Sequence, residues 1–160
     1  MLKVLVSSLL CLILASCGGG GSSVNTGSQV VALKRVTLVF NTNNVDSSAP
    51  LGLIELTVKQ PIGVNVSSAS CTLSSLNSIG SAVYSDDTRT LTFKIITTTE
   101  NAIPVGEFAK LICDMTPSSA LSVNDFQTEQ IITNKDLVGY NNGTVSLTNL
   151  IQLSTTVSFK

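Results

Sequence analysis

From residue 35 onward the apolar residues recur at every second position for most of the chain, and no long stretch keeps the 3.6-residue period of a helix. Val36, Leu38 and Phe40 alternate with Thr37 and Val39, and Asn41-Thr42-Asn43-Asn44 then marks a loop to Pro50, so a first strand is expected to end at Phe40. Ile54, Leu56 and Val58 alternate with Glu55, Thr57 and Lys59, which places aliphatic side chains on a core face and polar ones in water. Gln60-Pro61-Ile62-Gly63 is a turn into Val64-Asn65-Val66, and after a Ser-rich loop Cys71 and Leu73 share one face of a short strand. Val83 and Tyr84 approach the turn Ser85-Asp86-Asp87-Thr88, and Leu91, Phe93 and Ile95 return as the second arm of a hairpin.

Pro104-Val105-Gly106-Glu107 turns the chain again, after which Ala109, Leu111, Cys113 and Met115 occupy one face. Ile112 interrupts the polar outer face, and burial beneath a neighbouring loop is favoured over a role in contact. Residues 117–121 read as one helical turn and 126–133 as extended chain. Asn141-Asn142-Gly143 is a turn signal, and 144–159 supplies one or two closing strands with Val157 and Phe159 on the same side. The sum is about eight or nine strands, and so many one-sided strands bury their apolar faces as an all-β, antiparallel two-sheet sandwich.

The first 33 residues follow a different pattern. Met1 and Lys3 precede an apolar run from Val4 to Ala15, too short to cross a bilayer and close to the core of an export signal. The run ends in Leu14-Ala15-Ser16-Cys17, which resembles the lipobox of bacterial lipoproteins. The resemblance implies removal of a signal peptide, 1–16, and covalent attachment of diacylglycerol and a fatty acyl chain to Cys17, with no other cofactor. Two chains suffice for stable anchoring. Gly18-Gly19-Gly20-Gly21-Ser22-Ser23 opens a polar tether over 17–28, with a reach of roughly 20 Å for about a dozen such residues. Gly18 stands where lipoproteins retained in the inner membrane carry Asp, so a host with two membranes is expected to send the chain to the outer one. A single sandwich domain is expected over 29–160.

Charge composition narrows the chemistry. Charged residues make up 12% of the chain, well under the usual value of about 25%. Basic residues form no cluster beyond Lys34-Arg35, so there is no electrostatic footprint for nucleic acid. The chain has no histidine, which removes the commonest general base, the usual zinc ligand and the partner that activates a Ser or Cys nucleophile. A pair of carboxylates could act without histidine, but Asp86, Asp87, Glu100, Glu107, Asp114, Asp125, Glu129 and Asp136 show no pairing in their spacing. Asp86-Asp87 reads as turn chemistry, and the Asn41 to Asp46 loop lacks the alternating acids and closing Glu of a calcium loop. The chain is expected to be no enzyme and to hold no metal. Tryptophan is absent, so Tyr84 and Tyr140 are the only rings with a polar handle that could line a ligand surface. For each, a ring in the core with its hydroxyl at the edge is the more common arrangement.

With Cys11 in the leader and Cys17 lipidated, Cys71 and Cys113 are the remaining thiols of an exported chain and are expected to form a disulfide between the strands that carry them.

The order of motifs is also familiar: Gly52 to Val58, Pro61-Ile62-Gly63-Val64-Asn65-Val66, Gly106-Glu107-Phe108-Ala109 into Cys113-Asp114, and Asp125-Phe126 to Asp136-Leu137. Over roughly residues 50 to 140 it resembles cohesin-like and carbohydrate-binding-like β-sandwich lipoproteins. The resemblance implies a nine-strand jelly-roll and a non-catalytic binding role, with no ligand residues to carry over. The expected function is therefore a membrane-anchored interaction or adhesion module of the cell envelope. Its partner is an envelope or extracellular protein, with glycan binding or a structural place in an outer-membrane assembly as alternatives.

Overall fold

A strand with apolar residues on one side only can bury that side by facing a second sheet, and this requirement sets the architecture. The computed structural model describes residues 34–43, 50–97, 102–140 and 144–160, side chains of 140 and 144 excepted. The chain divides into a leading unit, 1–30, and a sandwich unit, 31–160, and all described residues belong to the second. The leader, Cys17, the tether, residues 44–49, Glu100 and Asn141-Asn142-Gly143 lie outside the described residues.

The strands are β1 (Arg35–Asn43), β2 (Leu51–Lys59), β3 (Cys71–Ser75), β4 (Ser78–Ser85), β5 (Thr90–Ile96), β6 (Gly106–Asp114), β7 (Ile132–Tyr140), β8 (Thr144–Ser146) and β9 (Gln152–Phe159). One sheet has the order β3-β6-β1-β9 and the other β4-β5-β2-β7-β8. All neighbours are antiparallel. The expected two-sheet antiparallel sandwich is thus the observed one. Successive strands pair within a sheet only at β4–β5 and β7–β8; the other connections cross between sheets.

The two sheets meet through large side chains. Phe40 from β1 lies 5.7 Å from Phe93 of β5 in the opposite sheet, and 6.3 Å from Phe108 of β6, centroid to centroid. Leu38, Ile54, Leu56, Leu91, Ile95 and Leu111 fill the rest of this layer and are all fully buried. Two bridges seal the ends. Val64 pairs with Met115 at the end where β1 begins, and Leu51 pairs with Ile103 at the other. The start of β1 also lies beside the chain's last residue, with backbone bonds exchanged between Arg35 and Lys160. That end is called the entry end below, and the opposite one the far end.

Cys71 and Cys113 sit directly opposite one another on β3 and β6 and are bonded, so the expected disulfide is present. It joins neighbours within one sheet and fastens the five-residue β3, which presents the sheet's edge, to β6.

Several expectations fail for identifiable reasons. β1 continues through Asn41, Thr42 and Asn43, because a bulge at Phe40/Asn41 lets Phe108 turn inward while Thr42, fully buried, donates to the Pro104 carbonyl at 2.8 Å. Val64-Asn65-Val66 makes a single bridge, although Val64 and Val66 are buried. Residues 126–133 are largely helical: a 3-10 turn (Val123–Phe126) precedes a one-turn α-helix (Thr128–Ile131), and β7 begins only at Ile132. Ile112 is half-buried and stands between Thr37 and Thr72 on the neighbouring strands. The β4–β5 turn does hold Asp86 and Asp87 as expected, and its left-handed residue is Arg89, at φ 55°.

Gln60 continues the inward face of β2 beyond Val58. Its backbone N–H donates to the Arg89 carbonyl at 2.8 Å. Its amide group is buried, and neither the nitrogen nor the oxygen has a protein partner.

Three consequences for stability are testable. Phe93→Ala removes the ring that locks the sheets together and is expected to lose about 3–5 kcal/mol in urea unfolding. Reduction of Cys71–Cys113, which closes a separation of 42 residues, is expected to lose up to about 4 kcal/mol through unfolded-chain entropy, with β3 loosening first in hydrogen exchange. Gln60→Met removes two unpaired polar atoms and is expected to raise stability by about 1 kcal/mol. A loss in that variant would show that the amide is satisfied by a bound molecule.

Candidate functional site

Chemistry on the sandwich can reside on its outer faces, at its edges or at its ends. The outer face of the five-stranded sheet is polar and internally satisfied. The Thr57 and Thr92 hydroxyls are 3.0 Å apart, Lys94 pairs with Glu55 at 2.8 Å, and Thr133 donates to the Thr57 carbonyl. The opposite sheet shows Thr72, Ile112, Thr37 and Ser158 in one row and Ser74, Lys110, Val39 and Thr156 in the next.

The acids are dispersed among local partners. Asp114 accepts from Arg35 at 2.9 Å, Glu107 pairs with Lys110, and Asp136 accepts from Thr148. Asp125 accepts from the backbone and hydroxyl of Ser122 at 2.7 and 2.8 Å, which holds its carboxyl below the usual range. Asp86 and Asp87 occupy the β4–β5 turn, as their sequence context indicates. Among the described residues no three His, Cys, Asp or Glu side chains gather in a way that could hold a metal ion.

Tyr84 lies on the inward side of β4 opposite Leu91, and its half-buried ring packs against the core. Burial pushes its hydroxyl above the ordinary tyrosine range. That is the structural arrangement rather than an exposed stacking platform. Tyr140 is the last residue of β7, and its side chain lies outside the described residues.

The far end is different in character. A cleft of about 570 Å³ opens between the crossing from β3 to β4, the end of β5 and the segment leading to β6. Leu76, Ser78, Ile96, Thr97, Ala102 and Pro104 line it, none of them charged. Leu76 is 74% exposed at its rim, and Val105, 60% exposed, follows Pro104. The geometry arises locally. The Ser75 hydroxyl donates to the Phe108 carbonyl and accepts from the Asn77 N–H, so the chain crosses between sheets in two residues and projects Leu76 outward. Ile96 lies over Gly80, where a Cβ would come within 2.5 Å of its Cδ1. A second recess of about 670 Å³ lies between the helix Thr128–Ile131, β7 and β9, but Glu129, Lys135 and polar side chains dominate it. A third, about 420 Å³, lies beside Arg89 and Asp86 at the entry end.

The edges differ as well. β8 has three residues, and β3 is short and cross-linked. β9 is covered by the helical segment: the Thr128 hydroxyl accepts from the Thr155 N–H at 2.9 Å, and Phe126 meets Phe159 edge-on at 5.8 Å. β4 has eight residues, none charged, and its first six are exposed. Sequence reasoning passed over the cleft and most of β4; the one available signal was the uncharged run 76–85.

Comparison with known proteins finds no match: no family model, no curated protein and no solved structure is significantly similar to this chain.

Proposed function

We propose that the chain is an envelope lipoprotein, anchored by diacylglycerol and fatty acyl chains on Cys17, whose sandwich is a non-catalytic protein-interaction module that meets its partner at the far end. The observation that carries this reading is the cleft bordered by Leu76, Ile96 and Pro104, whose described lining residues carry no charge, with Val105 exposed beside it, at the end of the sandwich opposite to Arg35, where the chain enters. Exposed aliphatic side chains around a recess are the kind of surface that burial against another protein stabilises. Loops at one end of a rigid sandwich are also a common place for recognition.

The anchor rests on Leu14-Ala15-Ser16-Cys17, and placement in the outer membrane of a two-membrane host rests on Gly18. The non-catalytic reading is supported by the absence of histidine and by the local partners that hold Asp114, Glu107 and Asp125 among the described acids. The cohesin-like character of the module is carried by motif order alone. Glycan recognition has less to support it, since the Tyr84 ring packs against the core.

The test uses the full chain in its native membrane, with a photo-crosslinking residue in place of Leu76 or, as a control, Thr57. The expected outcome is one discrete protein adduct from position 76, lost when Ile96→Asp is added, and none from position 57. Incorporation of labelled palmitate should disappear in Cys17→Ser. Equal adducts from both positions would contradict the far-end interface, and palmitate retained in Cys17→Ser would contradict the anchor.

A further inference from the structure

The cleft leaves the open edge of β4 unexplained. An edge strand presents a row of backbone N–H and C=O groups that can pair with another strand, and most proteins shorten, charge or cover such an edge. Here β3 and β8 are short and β9 is covered, but β4 is left eight residues long and uncharged. A bulge between Ile79 and Ser81 interrupts its upper part, so the regular edge is Ser81 to Ser85.

Within that stretch the side chains are ordered by their partners on β5. Ser81, Val83 and Ser85 lie opposite Lys94, Thr92 and Thr90 on the outer face, and Ala82 and Tyr84 lie opposite Phe93 and Leu91 on the inner one. This five-residue pattern is complementary to itself when reversed. With Val83 on a twofold axis, Val83 meets Val83 of a second copy, Ala82 meets Tyr84 and Ser81 meets Ser85, each pair on one face as antiparallel pairing requires. The large Tyr84 is set against the small Ala82. Val83, 63% exposed, gains a β-branched neighbour where it now meets water. No charged residue lies within the paired segment, so no like charges are brought together; Asp86 falls opposite Gly80, beyond it.

We infer that β4 is a homotypic interface: two copies of this chain pair antiparallel along Ser81–Ser85 about a twofold at Val83, joining their five-stranded sheets into one of ten strands. The occupant of this edge is a second copy, and the far-end cleft stays free for a different partner. The pairing does not depend on what that partner is. Confinement of both copies to one membrane would raise their effective concentration and favour a contact of only five residues per strand.

Cysteine cross-linking of the full-length chain in its native membrane tests the register directly, because Cys71 and Cys113 are already bonded to each other. Val83→Cys is expected to give a disulfide-linked dimer under mild oxidation. Co-expressed Ser81→Cys and Ser85→Cys copies should cross-link to each other more than either does alone. Thr156→Cys, on the outer face of the other sheet, should stay monomeric. Val83 is exposed, so its replacement leaves the fold intact, and reaction of the introduced thiol with a soluble maleimide confirms that it is accessible. An accessible thiol at position 83 that forms no dimer, or dimer formation equal to that of Thr156→Cys, would overturn the inference. An adduct with a foreign protein in place of the dimer would overturn it as well and assign the edge to that protein.

Discussion

The contact between the two sheets at Phe40, Phe93 and Phe108 is the constraint on which the rest of the molecule depends. Each of the three rings is fully buried, and the aliphatic rows of β1, β2, β5 and β6 close around them. Burial of such side chains contributes about 1.5–3 kcal/mol apiece, and an unpaired charge in the same layer would cancel several of them. Among the described residues the buried polar side chains are accordingly the uncharged Thr42, Gln60 and Thr97. With the interior given to packing, recognition is left to the faces, edges and ends.

Those surfaces are not equivalent. The outer face of the five-stranded sheet carries cross-strand hydroxyl and ionic contacts, which stabilise it modestly. Three edges are shortened, cross-linked or covered. What remains is one flank and one end, β4 and the cleft at its head, which share Ser78 as a common residue. The chain enters the sandwich at the opposite end, beside Lys160. A module tied through that end can present the other, and this polarity ties the proposed anchor to the proposed contact.

Much of this fold is legible in the sequence where strands are regular. β2, β5 and β6 keep period two because each has packed neighbours on both edges, and Cys71 and Cys113 stand on strands that the sequence pattern already marks. β7 was not legible, because register shifts at Leu51/Leu53 and Thr57/Val58 change the phase of its contact with β2 and set Lys135 opposite Leu56. Most of β4 escaped notice for the opposite reason: its apolar Ile79 and Val83 are exposed and set among Ser, Gly and Ala, so no buried apolar row reveals it. The turn itself was legible from Asp86-Asp87, and its left-handed residue is Arg89, whose carbonyl accepts from the Gln60 N–H. The cleft could not be read at all, since residues 76–78, 96–97 and 102–104 come together only through two crossings between sheets.

The most direct test of the account is amide hydrogen exchange on the lipidated chain in its native membrane, compared with the same chain purified as a monomer. Unpaired edge amides exchange quickly in the free protein and slowly once a strand or partner covers them. The account predicts slowed exchange across residues 76–85 and 102–105 in the membrane, with the strands of the other sheet unchanged. Unaltered exchange at β4 and at the far end, or protection gained on the outer faces instead, would contradict it.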